Sequence, residues 1–131
     1  PQFGGLGVST GYFTHADCRL HEMGEGHPEC PERLDAISDH LLATGLDIAL
    51  EFRDAPNATL EQIERAHTTH YVTEIKDLLE QVRTEGTTKA LDPDTVACPA
   101  TLAAALRAGG VRRLAMKAAL TLMVMVRMVP A

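Results

Sequence analysis

Six histidines and three cysteines carry much of this chain's capacity for chemistry. Four of them fall close together: Cys18, His21, His27 and Cys30. Cys18-x-x-His21 and His27-x-x-Cys30 have chelating spacing, and borderline-soft Zn²⁺ accepts thiolate and imidazole alike. Residues 22–26 are all that separates the pairs, a shorter spacer than zinc fingers use. Solvated loop histidines beside unpaired cysteines are the plain alternative. His67 and His70, three apart, can share a helix face, but no Asp-x-His accompanies them. They read as structural, with His67 holding backbone carbonyls at a break between helices. Glu29 and Arg33 have i, i+4 spacing for an ion pair that fixes the loop. Asp92-Pro93-Asp94 suits turn chemistry. A Gly-rich phosphate loop, a Gly-x-Ser-x-Gly elbow and a nucleophile–base pairing are all missing from the sequence. Spacing alone assembles no active site.

The elements that must position these groups are helices alternating with short strands. Gly11 to Thr14 reads as a strand, and His15 to Pro31 as a loop longer than most connections, a length usual in functional loops. Pro31 suits the first turn of a helix with Glu32 near the positive end of its dipole. Leu34, Ile37 and Leu41 form its apolar stripe, and Gly45 stops it. Ala49 to Arg53 alternates like a half-buried strand. Thr59-Leu60-Glu61-Gln62 is a capping box. A third helix starts about His70, with Val72, Ile75, Leu79 and Val82 on one face and Gly86 past its end. Thr87 to Pro99 reads as a loop, and Pro99 opens a fourth helix that runs to Gly109-Gly110. The pattern predicts an α/β fold.

At 131 residues, 45% hydrophobic and 23% charged, the chain has the composition of one globular domain. A formal charge of −6 argues against a dedicated nucleic-acid binder. Three scattered cysteines are no secreted disulfide framework, so a cytoplasmic setting is expected. The longest uncharged apolar run, 118–126, is short of the roughly 20 residues of a membrane span. Residues 1–9 read as a flexible leader. All eighteen acidic residues lie at or before Asp94, whereas five of the twelve basic ones follow it. Four of the five methionines fall after Ala115.

Read in order, the motifs form a series. Tyr12-Phe13-Thr14-His15 precedes Gly26-His27-Pro28-Glu29-Cys30-Pro31-Glu32-Arg33-Leu34 and Ala36-Ile37. Gly45-Leu46, Ala66-His67-Thr68-Thr69-His70-Tyr71-Val72, Leu91-Asp92-Pro93-Asp94-Thr95 and Cys98-Pro99-Ala100-Thr101 follow. Over residues 10–110 this resembles the N-terminal portion of the histone deacetylase superfamily, closest to its bacterial and class II branch and to acetylpolyamine amidohydrolases. The resemblance implies an incomplete arginase-like three-layer α/β fold with a parallel sheet. It implies hydrolysis of acetyl-lysine or acylated amines, with Zn²⁺ held by an Asp-x-His and a further Asp, tandem histidines and a Tyr. None of those motifs occurs in these 131 residues. The chain is therefore expected to be inactive alone and to hold no catalytic zinc. Carried over residue by residue, the resemblance places His27 and Pro28 at the mouth of the substrate channel. It places Asp94 and Thr95 at the rim that hydrogen-bonds the substrate.

Residues 111–131, basic and Met-rich, depart from the family pattern, and a frameshift near Gly110 would account for them. The competing expectation is an amphipathic helix with Leu114, Ala118, Met125 and Val129 on one side. A second reading of the whole is a small helical interaction module, with a loop zinc site at Cys18, His21, His27 and Cys30. Either way, sheet faces left uncovered predict self-association.

Overall fold

The computed structural model describes residues 10–117. Strand β1 (Thr10–Thr14) pairs in parallel with β2 (Leu50–Asp54), Tyr12 opposite Phe52. Between them run a 3-10 turn (Ala16–Leu20), the long loop, helix α1 (Glu32–Thr44) and a second 3-10 turn (Leu46–Ala49). Helices α2 (Leu60–Glu64) and α3 (Thr69–Glu85) follow, then a hairpin of β3 (Lys89–Asp92) and β4 (Thr95–Ala97), then α4 (Thr101–Lys117). The mixed architecture with its parallel pair is the α/β fold expected from the sequence.

Local signals set most boundaries. Gly45 ends α1 at φ 69°, donating its amide to the Leu41 and Leu42 carbonyls. Thr59 accepts from the Gln62 amide while the Gln62 side chain accepts from the Thr59 amide, a complete capping box. Thr68 caps α3 by accepting from the Tyr71 amide, so the helix opens at Thr69, one residue before the expected His70.

Packing concentrates where α3, the hairpin and α4 meet. Leu79, Val82 and Ala97 are buried there, with Ile75, Leu78, Leu91 and Leu102 packed against them. The α3 stripe thus faces inward, as its spacing required.

Three expectations are corrected. Residues 89–97 form an antiparallel hairpin rather than a loop, because Asp92 Oδ1 accepts from the Asp94 amide at 2.8 Å and closes the turn between two short strands. Helix α4 does not stop at Gly109-Gly110 but continues to Lys117; Gly110 admits the Pro56–Asn57 backbone and Gly109 the side chains of Ile63 and Ala58, instead of ending the helix. Strand β2 is not half-buried: Phe52 is 58% exposed and Glu51, Arg53 and Asp54 are exposed as well. Its faces lack a covering layer among the described residues. Of the proposed amphipathic tail, Ala118, Met125 and Val129 lie outside the described residues.

Candidate functional site

The long loop does not hang free. It tracks backwards along the hairpin and the start of α4. His21 Nδ1 lies 3.0 Å from Thr101 Oγ1, and the Glu22 amide donates to Cys98 Sγ at 3.4 Å. The Val96 amide donates to Met23 Sδ at 3.4 Å, and His27 Nε2 lies 3.4 Å from Asp94 Oδ1. As the loop number rises from 21 to 27, the partner number falls from 101 to 94. Four contacts in this order fix the loop between His21 and His27.

The buried end of this seam is polar and satisfied. Thr101 Oγ1 accepts from the Cys98 amide at 2.8 Å, while the Thr101 amide donates to the Cys98 carbonyl at 3.0 Å. The Thr101 hydroxyl has one proton to give, and His21 Nδ1 at 3.0 Å is a nearer acceptor than Cys98 Sγ at 3.5 Å. Burial pushes the His21 imidazole below its ordinary pKa, outweighing the opposing pull of the Glu29 carboxylate. A neutral ring that accepts from Thr101 fits both facts.

The exposed end carries the expected rim residues. His27 Nδ1 accepts from the Glu29 amide at 3.0 Å, and Glu29 pairs with Arg33 on the first turn of α1. Asp94 stands at the hairpin tip, its side chain 87% exposed. The Asp94 amide and, less strongly, the Thr95 hydroxyl hold the Asp92 carboxyl below the usual carboxylate range. His27 and Asp94 are thus brought together, Thr95 is half-buried at the start of β4, and Pro28, next to His27 in sequence, is exposed.

The suggested four-ligand loop site does not form. His21 turns to Thr101 and His27 to Asp94, while Glu32's own backbone amide and, next, the Cys30 thiol hold the Glu32 carboxyl below its ordinary pKa. Cys18 lies in the first 3-10 turn, where burial and, next, Asp17 push its thiol up. His21 and His27 are drawn to opposite ends of the stretch from Asp94 to Thr101, so their close spacing in sequence brings no convergence. Among the described residues no group of three or more His, Cys, Asp or Glu side chains is disposed to hold a metal ion. The described residues therefore offer no ligand set for a metal ion. His67 also differs from expectation: it stacks on Tyr71 at 5.6 Å, and His70 pairs with Glu74.

Sequence reasoning missed Met23, Cys98 and Thr101 as members of the seam. Thr101, three residues after Cys98 at a helix start, was the available capping signal. The sulfur acceptors leave no spacing signature. Arg107 was missed too: its Nε donates to Asp17 Oδ2 at 2.9 Å and its Nη1 to the Ala55 carbonyl at 3.0 Å. It joins α4 to the first 3-10 turn and to the segment after β2.

No helix among the described residues is long and apolar enough to cross a membrane. A search of the curated proteins finds no match. Among solved structures the chain is similar to the crystal structure of the HDA15 HD domain, at 26% identity and a TM-score of 0.67, over 84% of this chain and 32% of that one. The chain thus spans about a third of that domain's length. The family model for the histone deacetylase domain matches residues 27–129, which include His27, the hairpin and α4. By that match, over well more than half its length, this chain belongs to the histone deacetylase domain family.

Proposed function

We propose that these residues supply the mouth of the substrate channel in a zinc-dependent deacetylase or amidohydrolase acting on acetyl-lysine or other acylated amines. His27 and Pro28 on the loop and Asp94 and Thr95 at the hairpin form the rim. The single observation that supports this most is the meeting of His27 and Asp94 at 3.4 Å across 67 positions of sequence. Two segments assigned to the rim independently, by motif, come together at one surface point.

The zinc ligands, tandem histidines and polarising Tyr belong, in the family, to motifs that these 131 residues do not contain. Alone, the chain neither binds a catalytic zinc nor hydrolyses the substrate; it acts when the remainder of such a domain is present. The cytoplasm is the setting this reading assigns, with no nucleic-acid partner for a chain of charge −6.

Purified chain is assayed for metal content and for cleavage of an acetyl-lysine reporter, alone and after adding the remaining part of a histone deacetylase domain. Cleavage only in the mixture supports the reading. Hydrolysis by the chain alone, with stoichiometric zinc, overturns it.

A further inference from the structure

With Asp94 read as a rim residue, we infer that His27 is a positioning residue that acts through it. The loop imidazole holds a solvent-facing carboxylate in place for an N–H group of an acylated amine. The geometry sets which proton does this. His27 Nδ1 accepts the Glu29 amide proton at 3.0 Å, so the neutral ring carries its hydrogen on Nε2, the nitrogen that faces Asp94 Oδ1 at 3.4 Å. Glu29 is itself anchored by Arg33 on the first turn of α1. The ring is therefore fixed at one end by a helix and presents its donor at the other.

Asp94 is held from two directions. Its backbone amide is bound by Asp92 Oδ1 at 2.8 Å, and one carboxylate oxygen faces His27. The side chain is nevertheless 87% exposed, so its second oxygen is open to a ligand. A loose aspartate at a hairpin tip would lose side-chain freedom on binding an N–H donor; one already clasped loses less. Met23, which accepts from the Val96 amide, keeps the loop against β4 within the same stretch.

The test has two arms with separate readouts. In the isolated chain, imidazole ¹⁵N signals report the His27 tautomer and the side-chain carboxyl ¹³C signal reports Asp94. The expected result is an Nε2–H ring, with the Asp94 signal displaced by His27→Ala and restored by His27→Gln, which keeps an N–H donor. An Nδ1–H ring, or an Asp94 signal indifferent to His27→Ala, overturns the inference whether or not any activity exists. His27→Gln also serves if His27→Ala unfolds the loop. In the reconstituted domain, His27→Ala raises KM for an acetyl-lysine reporter about two- to five-fold, the range of one partly exposed pair, and leaves kcat unchanged. In an Asp94→Asn background His27→Ala has no further effect. Equal effects of His27→Ala in both backgrounds overturn the inference. A KM unmoved by Asp94→Asn while the clasp is visible overturns the rim reading instead.

Discussion

Gly110 of α4 lies against Pro56 with no room between them for a side chain. A Cβ on Gly110 would sit 1.8 Å from the Pro56 carbonyl oxygen and 2.6 Å from its carbonyl carbon. The segment after β2 crosses the helix here, its Ala58 amide donating to the Leu106 carbonyl at 2.8 Å, with Ala55 and Ala58 buried beside it. The glycine is a packing requirement of this crossing.

Gly110→Ala is accordingly expected to destabilise the fold by about 3 kcal/mol, the upper part of the range for overpacking, because the obstructing atoms are backbone. Gly109→Ala is the control. Its Cβ would meet Ile63 Cδ1 at 2.9 Å and Ala58 Cβ at 3.2 Å, and the Ile63 contact is the far end of a side chain that can turn away. Alanine's helix propensity, about 1 kcal/mol better than glycine's, offsets part of that cost. Urea denaturation of the two variants should separate them clearly, with Gly110→Ala the weaker by far.

Arg107 supports the same crossing by different chemistry. One guanidinium reaches both Asp17 and the Ala55 carbonyl, and its side chain is 22% exposed. Arg107→Met keeps the aliphatic stem and removes both donors, so a loss of about 2 kcal/mol is expected. Arg107→Lys should recover only part, since a point charge cannot serve both acceptors as the planar fork does. Equal stability of the Lys variant and the parent in thermal unfolding would show that the fork geometry is immaterial.

These two sites mark where the sequence was readable and where it was not. Caps and stripes were legible because each is a local rule: Thr59 with Gln62, Gly45 after α1, Leu79 and Val82 along α3. The glycine pair is ambiguous in sequence because a helix stop and a close packing approach, to backbone at Gly110 and to side chains at Gly109, use the same residue, and only the tertiary crossing tells them apart. The hairpin was missed because β3 and β4 span four and three residues, too few to show alternation. At the candidate site, motif order pointed to His27 and Asp94, which the fold brings within 3.4 Å, but the seam that runs on from them depends on Cys98, Met23 and Thr101. Their partners lie more than seventy positions away, as in Glu22 to Cys98 and Val96 to Met23. No local pattern encodes such pairings.

His21 predicts a pH response. Its folded-state pKa is lowered from 6.5 by burial, so the unfolded chain binds more protons in the window below that value. Stability is then fully present above pH 6.5, falls as the pH drops from there toward the folded pKa, and levels off below it. His21→Asn should flatten this part of the curve while lowering stability at neutral pH through the lost Thr101 contact. Denaturant midpoints measured from pH 7.5 to 5 check the slope; an unchanged slope in His21→Asn would assign the titration elsewhere.

Exposed apolar residues around α1 and β2 predict association. Leu42 is 63% exposed, Leu46 53%, Ile48 88% and Phe52 58%. β2 also carries Glu51, Arg53 and Asp54, the kind of charges that discourage pairing at a strand edge, whereas β1 (Thr-Gly-Tyr-Phe-Thr) carries none. Parallel strands are normally covered on both faces, so a two-stranded parallel sheet is unusual in isolation. The chain by itself should therefore self-associate with rising concentration, through the apolar surface more than through the charged β2 edge. Replacing Ile48 and Phe52 by Lys removes two of the most accessible apolar side chains without touching the buried cluster of Leu79, Val82 and Ala97. Sedimentation velocity should show the double variant shifted toward monomer, with its helical circular dichroism retained. Unchanged association in a folded double variant would move the contact to another surface, and the uncharged edge of β1 is the next place to test.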